Sequence, residues 1–430
     1  MLVEFSVANF RSIKDPVTLS MVGKKHTKKN HVLRNIHKTD FKSVPWLMET
    51  AMIYGANGSG KSNILKAAKF FKDFIINSSK GSTEGEAIET EPFLFSKVTQ
   101  KEPSEFEIIF IHDNFRFQYG FAVDEKIVHS EWLYATPSGK GKEKSQTWFT
   151  REYQEIQVSN DYIKGNKAVW KEATRNNALF LSTAVNLNSE ELKKPFQWLQ
   201  NTFTLLLKPE NLSNEFTCRM IPDDQGMEKY KVKLFPITTL NILRYLNIND
   251  NISIKEVKFE EKNISFPSFL SEEAKNDILR DMKGKDVYKA YFNYKTEEGG
   301  TYSLPIEEES DGTQKIFALA GLLSNILNAG RTILIDELNN SLHPLALEAV
   351  IKLFQNKEIN TKNAQLIFTS HDTNPMNKAN REQIITINKG EFGNTQLKRI
   401  SDFKGREDEA VETRYRNGRY NGIPHIKEVF

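Results

Sequence analysis

The 430-residue sequence has one cysteine, Cys218. That excludes an intrachain disulfide, a cysteine-built zinc site and any Cys-x-x-Cys hook or redox pair. No apolar run approaches the ~20 residues needed to span a bilayer. The opening Met1-Leu2-Val3-Glu4-Phe5 lacks the basic and apolar regions of a secretory signal. A cytoplasmic protein with no membrane partner is therefore expected. Sustained a/d heptads, internal repeats and low-complexity tracts are missing too, so neither a long coiled-coil arm nor a solenoid is expected. Net charge is only +3. Charge of one sign gathers in one place, where Lys24, Lys25, Lys28, Lys29, Arg34, Lys38 and Lys42 face only Asp40. Such a run suits nucleic-acid phosphates, an acidic partner or a solvated loop. Nucleic acid stays a candidate partner.

What the sequence does have is Gly55-Ala56-Asn57-Gly58-Ser59-Gly60-Lys61-Ser62, a G-x-x-x-x-G-K-S loop. It joins an apolar stretch (51–54) to a helix-like one (63–76). In that setting the backbone N–H groups turn inward around phosphates, and the helix N-terminus adds partial positive charge. Lys61 is placed to reach the β/γ-phosphates of ATP, and the Ser62 hydroxyl to ligate Mg²⁺. A surface turn that happens to contain Lys-Ser is the bland alternative. The matching parts downstream weigh against it.

Length and patterning predict an α/β chain of two or three lobes. Residues 2–10 alternate as a half-buried strand, 17–22 form a second, and 106–111, 115–123 and 131–135 read as β-rich. With the P-loop, this gives an N-terminal lobe over 1–165 built on a mixed sheet. Apolar spacing over 179–181, 192–207 and 240–246 predicts a mostly helical insert over 166–285. A C-terminal lobe over 286–430 follows, with strands at 288–294, 302–306, 332–335 and 365–369 and helices at 313–328 and 345–354. Gly330 sits where a left-handed helix stop belongs.

Three further elements carry chemistry. The apolar run 332–335 ends in Asp336-Glu337. The first acid suits the Mg²⁺ shell and the second suits orienting or deprotonating water, because ligands of open α/β sheets bind beyond the carboxyl ends of strands. The next apolar strand ends in Thr369-Ser370-His371-Asp372, which sets His371 to donate to a γ-phosphate. Ser310-Asp311-Gly312-Thr313 opens the strong helix, where a Ser-x-Gly turn offers N–H groups and a hydroxyl to an anion. A plain N-cap explains the same residues.

The order P-loop, Ser-x-Gly helix, Asp-Glu strand, His resembles the ATP-binding-cassette superfamily, in its soluble SMC/RecF and OLD-like branch. The resemblance implies an ABC-ATPase-type P-loop NTPase head, a mixed-sheet lobe plus a parallel-core sheet. It implies Ser310 and Gly312 as a signature acting in trans on the nucleotide of a second copy, Asp336 and Glu337 as the Walker B pair, and His371 as the switch histidine. Asn339-Asn340-Ser341-Leu342-His343-Pro344 takes the D-loop position. Within that branch, the AAA-type ATPases called RloA or AbiL are resembled by residues 5–13 (Phe-Ser-Val-Ala-Asn-Phe-Arg-Ser-Ile), 175–182 (Arg-Asn-Asn-Ala-Leu-Phe-Leu-Ser) and 414–424. The signature departs from the family's Ser-Gly-Gly-Gln, reading Ser-Asp-Gly-Thr. Gln118 is a candidate Q-loop residue, and Arg11 a candidate contact to nucleotide or partner.

The expected function is an ATP-binding and hydrolysing switch, a homodimer or higher homo-oligomer, in bacterial anti-phage abortive infection. OLD-like nucleases carry an Asp-x-Asp after the cassette. None occurs in the 59 residues after His371, so a separate effector nuclease is expected. The alternative is a RecF/SMC-like DNA-binding repair protein. A transporter subunit is disfavoured by the long separation of Ser62 from Ser310.

Overall fold

The computed structural model describes residues 1–24, 35–80, 83, 85–139, 143–209, 212–221, 237–258, 286–340, 342–406 and 409–423. Lys25, Lys28, Lys29 and Arg34 of the basic run, Ser341 and Pro424 lie outside them, whereas Lys24, Lys38 and Lys42 are exposed.

The chain divides into two compact units. The first comprises Met1–Pro209, Ala329–Asn340 and Val350–Phe430, the second Glu210–Asn328 and Ser341–Ala349. The first opens with β1 (Leu2–Ala8), β2 (Val17–Ser20), a short pair β3 (Ile36–Lys38) and β4 (Trp46–Met48), β5 (Thr50–Gly55) and helix α1 (Lys61–Asn77). Strands β6 (Ser104–His112), β7 (Phe115–Val123), β8 (Val128–Pro137), β9 (Gln146–Glu152) and β10 (Glu155–Val158) follow. These five join β1 and β2 in a seven-stranded sheet, order β10-β9-β8-β7-β6-β1-β2, antiparallel throughout. Its strands alternate, and Phe5, Phe106, Phe110, Phe117, Tyr119 and Phe121 are buried. α1 lays Phe71 on that face, stacked on Phe121 at 5.2 Å and edge-on to Phe5 at 5.6 Å.

The P-loop strand belongs to the other sheet. β5 is buried at all six positions, as a strand covered on both faces must be. It pairs in parallel with β16 (Gln365–Thr369) and β17 (Ile384–Lys389). The order is β11-β15-β16-β5-β17-β18, with β11 at Phe203–Leu206, β15 at Thr332–Ile335 and β18 at Thr395–Arg399. Only edge strand β18 runs antiparallel. β11 departs from expectation: residues 203–206, read as the end of a helix, form a strand parallel to β15. The helix Glu190–Gln197 passes through a π-turn at Trp198–Thr202 before this strand. Trp198 stacks on Phe110 at 4.1 Å, so packing decides a stretch that spacing alone reads as helical. Residues 166–209 thus sit in the first unit, although the expected insert began at 166.

The second unit contains a three-stranded antiparallel sheet of β12 (Ile252–Lys258), β13 (Asp286–Lys295) and β14 (Thr301–Pro305). The helix Asp311–Ala329 packs on it through Phe317, edge-on to Phe292 at 5.8 Å. Thr217 donates to the Ala318 carbonyl at 3.1 Å, and Asn328 to that of Ile237 at 2.7 Å.

Candidate functional site

Three strands of the parallel core deliver the site. Register sets Ile335 beside Phe368 and Thr369 beside Ile53, so β15 and β16 end within one residue of each other and β5 runs two residues further, to Gly55. Asp336, the Thr369–His371 turn and the loop from Gly55 therefore meet at one sheet edge, with β16 between the acids and the P-loop.

The loop is built for an anion. Gly60 has φ of 108°, and a Cβ there would collide with Thr395 Oγ1. A Cβ on Gly55 would lie 2.6 Å from the Ile387 carbonyl. α1 starts with no side-chain cap and no acid in its first turn; the Asn63 N–H donates to the Gly60 carbonyl at 3.1 Å, while those of Lys61 and Ser62 find no partner among the described residues and can face a ligand. Ser59 is buried and its Oγ has no hydrogen-bond partner among the described residues. Lys61 is buried and, among the described residues, donates only to the carbonyls of Gly55 (2.7 Å) and Ala56 (3.1 Å). Burial lowers its pKa, against the opposing pull of Asp336 and Glu337. A desolvated ammonium, an uncapped helix end and an orphaned hydroxyl together fit a polyphosphate. Ala56 and Ser62 are half-buried, and Asn57 and Gly58 exposed.

Asp336 is buried and Glu337 half-exposed. Thr369, which sequence reasoning passed over, joins them: its hydroxyl donates to Asp336 Oδ1 at 2.6 Å and accepts the Glu337 N–H at 2.7 Å. Glu337 has a left-handed φ of 48°, a conformation costly for a non-glycine residue and common at functional sites. Its Oε1 lies 3.7 Å from His371 Nε2. The pKa of His371 is lowered, first by desolvation and then by Lys61, with Glu337 opposing. The Asn339 side chain accepts the His371 N–H at 3.2 Å, tying the two loops.

The P-loop, Asp336, Glu337 and His371 are thus brought together in the first unit. Ser310 and Gly312 belong to the second, at the start of the Asp311–Ala329 helix. Ser310 is exposed, its Oγ accepting the Thr313 N–H at 3.2 Å, the geometry of an N-cap. Gln118 lies on β7 and donates to Glu107 at 2.9 Å, within the antiparallel sheet. Arg11 pairs with Glu91.

The family model described as "AAA domain, putative AbiEii toxin, Type IV TA system" matches residues 51–377, from the P-loop strand past His371. The chain belongs to this AAA family. As in AAA/ABC-type P-loop ATPases generally, its site is a nucleotide-binding one. No curated protein matches the sequence. Among solved structures, cbiO1 from Clostridium perfringens, titled part of the ABC transporter complex cbiONQ, is 12% identical. The match covers 94% of this chain and 90% of that one, with a TM-score of 0.32, and the assignment rests on the family match instead. No helix among the described residues is long and apolar enough to cross a membrane.

Proposed function

We propose that this AAA protein is an ATP-driven switch that binds ATP with Mg²⁺, hydrolyses it slowly, and serves as the ATPase and sensor subunit of a bacterial anti-phage, abortive-infection system of RloA/AbiL type. A separate nuclease is its effector. The observation that carries this reading is the meeting of a desolvated Lys61, the Asp336-Glu337 pair and His371 at one sheet edge. The family description, with its toxin and type IV system, supports the defence role.

When bound, ATP supplies the transferable γ-phosphoryl group and Mg²⁺ the positive charge that its oxygens require. The Lys61 ammonium leaves its two carbonyls for a stronger, charged acceptor. The Ser62 hydroxyl and Asp336 carboxylate are the hard oxygen donors suited to hold the metal. Glu337, unencumbered by any hydrogen bond to its carboxylate in the described residues beyond the loose approach of His371, orients water and takes its proton. His371, neutral above its lowered pKa, keeps a ring N–H to donate.

In this reading two copies face each other, and the exposed Ser310 and half-buried Gly312 of each complete the other's site. Several charge-assisted hydrogen bonds, each worth ~1.5–3 kcal/mol, suffice to move a closure equilibrium from minor to dominant.

The test is Glu337→Gln in the purified full chain. Turnover should fall by about a hundredfold or more, while ATP is retained and the mass in solution shifts to a dimer. Unchanged turnover removes Glu337 from its role. A wild-type protein that binds no ATP removes the whole reading. DNA-stimulated turnover with steeply salt-dependent binding would point to repair instead.

A further inference from the structure

The P-loop is held by a relay of side chains whose two middle members lie outside the family match: Ser12 comes before residues 51–377 and Thr395 after them. Asn63, in the first turn of α1, donates from Nδ2 to Ser12 Oγ at 2.6 Å. Ser12 Oγ and Thr395 Oγ1 lie 2.7 Å apart. Thr395 Oγ1 donates to the Ser59 carbonyl at 3.3 Å. Each hydroxyl has one proton. Since that of Thr395 goes to Ser59, the proton between the two hydroxyls is Ser12's. The polarity then runs one way, Asn63 to Ser12 to Thr395 to the Ser59 carbonyl, with each hydroxyl proton used once. A backbone bond from Thr395 N to Ser12 O at 2.7 Å fixes the middle of the relay.

We infer that Ser12 and Thr395 are positioning residues of the nucleotide loop, acting through Ser59 and Gly60 and touching no phosphate. The relay grips the loop on both sides of Gly60, the residue whose left-handed backbone turns the loop into the helix. Thr395 closes over Gly60 so tightly that only glycine fits beneath it. Thr395 is buried, so its hydroxyl cannot exchange the Ser59 carbonyl for water. Ser12 comes from the turn after β1 and Thr395 from the start of β18, so two distant parts of the chain set the loop in its anion-binding shape before any ligand arrives. Such preorganisation lowers the cost of binding rather than the barrier of the chemical step.

This rests on the proposed ATP site, so the experiment has one readout that needs no nucleotide. Hydrogen exchange of the amides of residues 56–62 is followed in ligand-free wild type, Ser12→Ala, Thr395→Val and Thr395→Ser. Thr395→Val keeps the shape and removes the hydroxyl. Exchange in the loop should quicken by about tenfold in Ser12→Ala and Thr395→Val, the worth of one hydrogen bond, and return towards wild type in Thr395→Ser. Loop exchange unchanged in Thr395→Val overturns the relay whether or not ATP binds. In the ATPase assay KM should rise by a similar factor with kcat within about twofold. An equal fall in kcat at constant KM would instead make these residues part of the chemical step and overturn the positioning role. Loss of ATP binding by wild type would fail the functional reading alone, leaving the exchange result to decide the relay.

Discussion

Thr369 and Asp336 share a 2.6 Å hydrogen bond at the ends of neighbouring parallel strands, and the same Thr369 hydroxyl accepts the backbone N–H of Glu337. One hydroxyl thereby orients one acid and fixes the left-handed backbone of the next. Thr369→Val should preserve strand packing, since valine has the same shape and β preference, yet free both acids. Expected is a fall in kcat of about tenfold with a smaller change in KM, because the acids act on water and metal rather than on the bulk of the nucleotide. Steady-state kinetics check this, with Thr369→Ser restoring turnover. A Thr369→Val enzyme at full speed would mean that the strand alone holds the acids.

Lys61 yields a second prediction, about stability. Without ligand its ammonium is desolvated and, among the described residues, bonded only to two carbonyls. A buried cation held that way contributes little to folding, since its desolvation offsets what the carbonyls return. Lys61→Met keeps the apolar stem. Its unfolding temperature without nucleotide should lie within about 3 °C of wild type, while the upward shift that ATP and Mg²⁺ give wild type should vanish. Thermal unfolding with and without nucleotide measures both. A large loss of stability in the ligand-free variant would make Lys61 a structural keystone.

Much of this was legible in the chain because local signals and tertiary packing agree. The strands at 115–123, 332–335 and 365–369 and the helix ending at Gly330 (φ 66°) fall where their patterns predict. The P-loop and the Asp336-Glu337 tip were readable because their spacing is contiguous. Thr369, Ser12, Thr395 and Asn339 were not, because their roles come from strand register and from partners 32 to 383 positions away. The run 203–206 shows the limit of periodicity: its four residues suit either state, and pairing with β15 decides. The 175–182 segment, noticed only as a resemblance, has a structural explanation. Arg151 donates to the Ala178 carbonyl at 2.6 Å, and Glu131 accepts the Phe180 and Leu181 N–H groups at 2.6 and 3.0 Å, seating the segment on the antiparallel sheet. No sequence window contains both halves of that seat.

The last prediction concerns pH. Glu49, just before β5, has a fully buried side chain paired with Lys357, and its Oε2 finds no hydrogen-bond partner among the described residues. Burial pushes its pKa up from 4.5 to about 7, with Lys357 pulling the other way. Between those values the folded chain holds a proton that the unfolded chain has released. The contribution of Glu49 is therefore fully present below pH 4.5 and is lost as pH rises through about 7. Glu49→Gln cannot titrate and retains a hydrogen-bonding head of similar size. Chemical unfolding at intervals from pH 5 to 8.5 should show the variant gaining on wild type as pH rises, by on the order of 3 kcal/mol across the window. A gap constant with pH would place the Glu49 pKa near its ordinary value and make the ion pair with Lys357 dominant.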